Sequence, residues 1–125
     1  MKKLLIALVI IVSMGTAGCV CAADFAKGLR AAQSGDFATA LKEWTVLAGQ
    51  GHMKARHALG VMYVKGRGVI QDNVYAHMWF NIAASNGNKS AMKHRDIMAK
   101  RMTAADISKA QGLARACVAK KYKGC

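Results

Sequence analysis

The sequence contains no proline, few aromatic residues and few acidic residues. The lack of proline excludes a collagen-like chain. Aromatic residues make up only 6% of the chain, and β-branched residues are sparse beyond the N-terminus, which argues against a β-sandwich or β-barrel. Only six residues are acidic, and they are scattered, so no carboxylate pair for general acid–base catalysis emerges. The 125 residues are 54% hydrophobic, enough to pack one domain, and their richness in alanine, methionine and lysine favours helices.

The N-terminal segment, residues 1–23, has the three-part pattern of a secretory signal peptide. Two lysines follow the initial methionine, residues 4–12 form an unbroken apolar run, and small residues come next. This run is about half of the ~20 residues that a membrane-spanning helix needs. The pattern predicts cleavage after Ala22 or Ala23. Lipidation of Cys19 is the alternative, because the residues around it resemble a bacterial lipobox. Both routes predict export, giving a periplasmic, secreted or lipid-anchored protein.

Cleavage after Ala23 leaves a domain of residues 24–125 with two cysteines, Cys117 and Cys125. An even pair of cysteines in an exported chain is typical of a disulfide. The expected role of this bond is to fasten the C-terminal tail. A redox or metal-binding role is the alternative, although neither cysteine stands in a C-x-x-C motif of the kind found in redox proteins.

The domain repeats with a period of 36 residues. Identical residues recur in six pairs: Asp36 and Asp72, Ala40 and Ala76, Ala48 and Ala84, Gly51 and Gly87, Ala55 and Ala91, Met62 and Met98. Trp44 and Phe80 also coincide, and each has an alanine four residues before it and four residues after it. This spacing places alanine, ring and alanine on one stripe of a helix. Such a period predicts a helical solenoid, in which each unit stacks on its neighbour.

Capping signals divide the domain into six helices. Asp36, Asp72 and Thr103 are predicted N-caps, and Gly51 and Gly87 stand just past helix ends. The predicted helices span 24–34, 37–50, 53–65, 73–86, 89–101 and 104–121. They are expected to pair into three hairpins. The predicted fold is therefore all-α, an α/α superhelical solenoid of about three helical hairpins.

The middle repeat carries a specific motif. Residues 55–91 read ARHALGVMYVKGRGVIQDNVYAHMWFNIAASNGNKSA. They strongly resemble a Sel1-like repeat, whose pattern is A-x-x-x-LG-x-x-Y-x-x-G-x-GV-x-x-D-x-x-x-A-x-x-W-(aromatic)-x-x-AA-x-x-G-x-x-x-A. The first unit resembles a shortened version, with Ser34 and Gly35 replacing the longer loop. The third departs from the pattern, since Arg95 and Asp96 occupy the Leu-Gly positions, as expected of a polar terminal unit. The predicted repeat core comprises Ala40, Trp44, Ala48, Leu59, Gly60, Tyr63, Ala76, Phe80 and Ala84.

The resemblance implies a tetratricopeptide-like scaffold that binds other proteins on a concave face formed by the first helix of each pair. On the middle unit, Lys54, His57, Val61 and Lys65 have the spacing of one helix face. These four residues and Lys93, on the next such helix, are the candidate partner-binding residues. An ordinary solvated face has the same spacing, so it stays open as an alternative.

Positive charge dominates the domain and is concentrated towards its end. Residues 24–125 contain 17 basic and six acidic residues, a net charge of +11. Residues 89–125 hold ten of the basic residues and two of the acidic ones. Such a field attracts acidic surfaces. Nucleic acid is the usual partner for this balance, but export argues against it. We therefore expect an acidic protein, with an anionic envelope polymer or a lipid surface as alternatives.

No metal site or cofactor is predicted. The four histidines include no pair at the i, i+4 spacing that puts two ligands on one helix face. Methionines at helical spacing could suggest Cu(I), but they are more typical of a hydrophobic core. Nucleophile-elbow, P-loop and dinucleotide-binding motifs are absent. We expect a non-catalytic interaction module of the bacterial cell envelope. The alternative is the cysteine-rich secreted branch of the Sel1-like proteins, which the resemblance associates with penicillin binding or hydrolysis.

Overall fold

Six α-helices form the part of the chain that the computed structural model describes, residues 23–125. They are α1 (Phe25–Gln33), α2 (Phe37–Gly49), α3 (Met53–Lys65), α4 (Asn73–Ser85), α5 (Lys89–Ala99) and α6 (Ala104–Ala119). The predicted all-α class is confirmed, and every helix boundary lies within two residues of its predicted position. None of these six helices combines the length and the apolarity needed to cross a bilayer. The predicted signal peptide and Cys19 lie outside the described residues, apart from Ala23.

The predicted caps begin and end these helices. Asp36, Asp72 and Thr103 each accept a hydrogen bond from a backbone N–H in the first turn of α2, α4 and α6, at 2.8–3.2 Å. Gly51 and Gly87, just past α2 and α4, have φ angles of 94° and 93°. Only glycine adopts this left-handed conformation without a steric penalty. Local chemistry therefore fixes where the helices begin and end.

The helices pack on their sequence neighbours as far as α5, and α6 then packs on α4. The prediction of hairpins therefore holds for α1 with α2 and for α3 with α4. It is wrong for α5 and α6, which do not pack closely on each other within residues 89–119. The residues that join the second pair explain the difference. One period beyond Gly60 and Phe80 stand Asp96 and Ala116, which cannot form the same contact.

A ring from the second helix lies against a glycine of the first helix in both pairs. Phe80 lies on Gly60, where an added Cβ atom would be 2.5 Å from the ring. Trp44 lies on Gly28, where an added Cβ would likewise overlap the ring. Trp44 is 6% exposed and Phe80 is 1% exposed. The absence of a glycine side chain thus lets each pair of helices approach closely around a buried ring.

The other residues of the predicted repeat core are buried, with one exception. Buried residues are Ala40, Ala48, Leu59, Gly60, Ala76 and Ala84. Tyr63 is only partly buried, and its ring stacks on Tyr75 with the ring centroids 5.3 Å apart. Burial raises the pKa of the Tyr63 hydroxyl, and the negative charges available to Tyr75 and Asp72 raise it further. Tyr63 therefore packs at the edge of the core.

The C-terminal tail contacts α3 and is joined to α6 by a pair of cysteines. The sulfur atoms of Cys117 and Cys125 are 2.04 Å apart, as the predicted disulfide requires. Between them, the ring of Tyr122 lies against the guanidinium of Arg56, 3.8 Å from the ring centroid. Arg56 is 2% exposed, and its Nε donates a hydrogen bond to the Ala48 carbonyl at 2.9 Å. The tail thus covers a buried cation with an aromatic face.

Gly60→Ala tests the contact between ring and glycine. The added methyl group overlaps the buried Phe80 ring, so we expect the free energy of unfolding to fall by about 1–3 kcal/mol. Gly112→Ala in α6 is the matched control, because the nearest neighbouring atom to an added Cβ there is 3.9 Å away. This control should gain about 0.5–1 kcal/mol from helix propensity. Urea unfolding followed by circular dichroism measures both, and equal effects would contradict the packing argument.

Cys125→Ser tests the covalent fastening of the tail. Because the bond closes a loop between residues eight apart, its loss should lower the free energy of unfolding by roughly 2–3 kcal/mol. Dithiothreitol should reproduce this loss in the unmodified protein and have no effect on the variant. Lys123→Ser, an exposed change inside the same loop, is the control. A variant as stable as the oxidised protein would show that the tail is held by other contacts.

Candidate functional site

Three helices present residues at helical spacing along one surface. On α3 the stripe consists of Lys54, His57, Ala58, Val61, Met62 and Lys65. On α1 it consists of Phe25, Leu29 and Ala32, and on α5 and the turn after it of His94, Ile97, Met98 and Arg101. Residues spaced three and four apart share one helix face. We call the surface formed by these three stripes the groove.

Two cavities lie side by side in the groove. Cavity 1, of about 340 Å³, lies between α1 and α3 and reaches Trp44 of α2. Cavity 2, of about 270 Å³, lies between α3 and α5 and reaches Phe80 of α4. Val61 lines both, so the cavities are adjacent across α3. The two rings that lie on glycine in the core therefore also line the two cavities.

Phe25 gives cavity 1 an aromatic wall. Its ring stacks between those of Trp44 and His52, with centroid distances of 5.6 Å and 5.2 Å. The Trp44 Nε1–H also donates a hydrogen bond to the Phe25 carbonyl oxygen at 3.3 Å. His52 is itself fixed, because its Nδ1 accepts the Ala55 N–H at the start of α3. This side of the cavity is consequently preformed.

Cations surround the apolar interior of the groove. Lys54 and Arg67 line cavity 1, and Lys65 and Arg101 line cavity 2. The Arg67 guanidinium lies 5.3 Å from the ring centroid of Phe37. Within residues 23–125, neither cavity is lined by an aspartate or a glutamate. A ligand that enters the groove therefore meets apolar walls and positive charge together.

Two histidines meet between α3 and α5. Nε2 of His57 lies 2.7 Å from Nδ1 of His94, and both rings pack against Phe80 with centroid distances of 5.4 Å. Burial lowers the pKa of His57, and the charge of His94 lowers it further. The pair therefore shares one hydrogen bond with a neutral imidazole as acceptor. In the described part of the chain, no group of three or more histidine, cysteine or carboxylate side chains could hold a metal.

The groove contains most of the predicted partner-binding residues. Lys54 and His57 line cavity 1, Lys65 lines cavity 2, and Val61 lines both. Lys93 is exposed but lines neither cavity. Lys93 stands four residues before Ile97 on α5, but the neighbouring His94 is the residue that lines cavity 2.

Sequence reasoning missed Phe25, Leu29, Phe37, Arg67, His94, Ile97 and Arg101. The stripes on α1 and α5 have the same spacing as the one on α3, so that signal was available. The histidine pair left no such signal, because His57 and His94 are 37 residues apart and lie on different helices. A search for ligands on one helix face cannot find such a pair.

Another histidine is buried in α4. His77 of α4 is 3% exposed, and within the described residues its Nδ1 has no hydrogen-bond partner. Burial lowers its pKa, and the nearby positive charge of Arg95 adds to this effect, while Asp96 opposes it. The fold therefore favours the neutral form of His77.

Comparisons of the chain with models of known protein families, with curated proteins and with solved structures found no significant match. The assignment of a function therefore depends on the residues and geometry of the groove.

The buried histidines predict a loss of stability in mild acid. His57 and His77 have lowered pKa values when folded, whereas unfolded histidine titrates near 6.5. Below about pH 6.5 the unfolded chain takes up protons first, so the free energy of unfolding should fall as the pH decreases. Thermal unfolding at pH 7.5 and pH 5.5 measures this effect, because both values lie above the pH range in which carboxylates titrate. His57→Gln should reduce the difference in stability between the two pH values. A protein that is equally stable at both, or more stable at pH 5.5, would contradict the assignment.

Proposed function

We propose that this protein is a non-catalytic, Sel1-like interaction module of the bacterial cell envelope, and that the groove binds another protein. The groove is the observation that supports this proposal. It combines two adjacent cavities, of about 340 Å³ and 270 Å³, with apolar walls and a cationic border. An apolar surface bordered by charge is typical of a protein-binding site. The partner is accordingly an acidic protein.

The proposed arrangement is an α/α solenoid with α1, α3 and α5 on its binding side. The repeated contacts of Trp44 with Gly28 and of Phe80 with Gly60 support it. The packing of each helix from α1 to α5 on its sequence neighbours also supports it, since consecutive helices pack on one another along such an array. In a solenoid the first helices of successive pairs share one face, which matches the three stripes of the groove.

Function outside the cytoplasm is the second part of the proposal. The bonded pair Cys117 and Cys125 is consistent with an oxidising compartment, where such bonds persist. The three-part pattern of residues 1–23 points the same way. Cleavage after Ala22 or Ala23 and lipidation of Cys19 are both compatible with this location.

A second candidate function is binding of an anionic envelope polymer or lipid surface by the basic end of the domain. Nine of its ten basic residues are exposed: Lys89, Lys93, Lys100, Arg101, Lys109, Arg115, Lys120, Lys121 and Lys123. A surface of this kind binds through summed charge and weakens steeply with salt. It lies largely outside the two cavities, so the two candidates predict different contact sites.

Site-specific photocrosslinking in the producing cell tests the proposed function. A photoreactive amino acid at Lys65, which lines cavity 2, should give a discrete protein adduct in the envelope fraction. The same substitution at Lys42, an exposed lysine of α2 outside both cavities, is the matched control. Adducts that form at Lys109 and not at Lys65, and that do not form when irradiation is carried out in 0.5 M salt, would favour the polymer or lipid surface. Equal protein adducts at Lys42 and Lys65 would refute binding through the groove.

A further inference from the structure

We propose that the chain is cleaved between Ala23 and Asp24, and that the α-ammonium group created on Asp24 pairs with the carboxylate of Glu43. This inference assigns one processing site out of the two that the sequence allows, and it assigns a receptor for the new N-terminus. It rests on the part of the proposed function that places the protein outside the cytoplasm, and it does not depend on what the groove binds.

The carboxylate of Glu43 contacts the nitrogen atom that this cleavage turns into the N-terminus. Oε2 of Glu43 accepts a hydrogen bond from the backbone N–H of Asp24 at 3.0 Å. The two residues are 19 positions apart, so the contact joins the start of α1 to α2. The Glu43 side chain is only 13% exposed. A largely covered carboxylate therefore faces the exact atom on which cleavage places a positive charge.

Hydrolysis replaces the amide donor with a cation. A peptidase of the envelope that recognises small residues adds one water molecule across the peptide bond. The oxygen of the water goes to the carbonyl carbon of Ala23, which becomes a carboxylate, and both protons go to the nitrogen of Asp24, which becomes an ammonium group. This group has three N–H donors where the amide has one. Because donor and acceptor are then both charged, their attraction increases.

An ammonium group at this position needs a negative partner. Asp24 is the N-cap of α1, and the N-terminal end of a helix carries a partial positive charge that repels cations. Residues 24–125 also have a net charge of +11. Glu43 supplies the missing negative charge, which a neutral side chain at the same place could not do.

Glu43 has one oxygen atom for each of two cations. Oε1 lies 3.2 Å from Nζ of Lys27 on α1, which leaves Oε2 for the nitrogen of Asp24. The hydrogen bond from Asp24 lowers the pKa of the Glu43 carboxyl, Lys27 lowers it further, and Lys42 of α2 adds a smaller effect, while burial opposes all three. The carboxylate is therefore ionised at neutral pH and available to the N-terminus.

The contacts at the start of α1 favour cleavage after Ala23 over cleavage after Ala22. Asp24 supplies the first hydrogen bonds of α1, through its side chain and its carbonyl oxygen. Among residues 23–125, Ala23 has no hydrogen-bond partner and makes only apolar contact with the core. A chain that begins at Ala23 would carry its ammonium group one residue, about 3.8 Å along the Cα trace, before the position that Glu43 contacts.

The proposed pair would strengthen the junction that forms one wall of cavity 1. Phe25 follows Asp24, Trp44 follows Glu43, and the Trp44 Nε1–H donates a hydrogen bond to the Phe25 carbonyl oxygen at 3.3 Å. Both rings line cavity 1. Cleavage would thus add a charged contact beside the hydrogen bond that holds these two rings together.

Intact mass spectrometry of the protein from the envelope fraction of the producing cell tests the processing site. The expected mass is that of residues 24–125 less the two hydrogens lost to the disulfide. A chain that begins at Ala23, or one that carries lipid on Cys19, would overturn this inference and leave the location outside the cytoplasm standing. A full-length chain confined to the cytoplasm would overturn both.

The rate at which an acetylating reagent labels the α-amine tests the pairing. Only the deprotonated amine reacts, and a carboxylate nearby keeps the amine protonated. At pH 7.5 the α-amine of the exported Glu43→Gln variant should label at least about fivefold faster than that of the unmodified protein, as read from the N-terminal peptide. Asp96→Asn, which removes an exposed carboxylate of α5, is the matched control and should label at the unmodified rate. Equal rates for Glu43→Gln and the unmodified protein would overturn the pairing.

A second measurement of the same rate needs no variant. Urea separates Asp24 from Glu43, so unfolding the unmodified protein should raise the labelling of its α-amine at least about fivefold relative to that of Lys109, a lysine that is exposed in the folded protein. Circular dichroism verifies that each variant is folded before labelling. The same ratio with and without urea would show that the fold does not hold the ammonium group, and would overturn the pairing whatever the variant does.

Discussion

The contact between an aromatic ring and a glycine backbone determines the geometry of the first two helix pairs. Phe80 on Gly60 and Trp44 on Gly28 occupy the space that a side chain would otherwise fill, so each pair closes around a buried ring. The same rings line the two cavities from within. Packing of the core and shape of the groove therefore depend on the same residues, and a change to either ring alters both.

The sequence predicted the features that depend on short stretches of chain. Caps at Asp36, Asp72 and Thr103 involve backbone groups two or three residues away, and this proximity explains why six helices were found with accurate bounds. The 36-residue period related Trp44 to Phe80, because equivalent positions in successive units have equivalent surroundings. The candidate partner-binding residues on α3, which line the two cavities, followed from spacing along a single helix.

Features that join separate helices were not predictable in this way. The pair of His57 and His94, and the packing of Tyr122 on Arg56, join residues that no helical period relates. Lys93, which was chosen from the same spacing, lies outside both cavities, and His94 lines cavity 2 instead. The period places Asp96 and Ala116 where Gly60 and Phe80 stand in the preceding unit, but the contact between that glycine and that ring is visible only in the structure.

The turns after α3 and α5 each contribute to the cavity that precedes them. Arg67, from the turn after α3, lines cavity 1, and Arg101, from the turn after α5, lines cavity 2. Each cavity therefore needs residues from two successive helix pairs, and α1, α3 and α5 together enclose two cavities. An array built by this rule would gain one cavity for each unit added, while the charge beside each cavity could diversify through turn sequences that leave the buried framework intact.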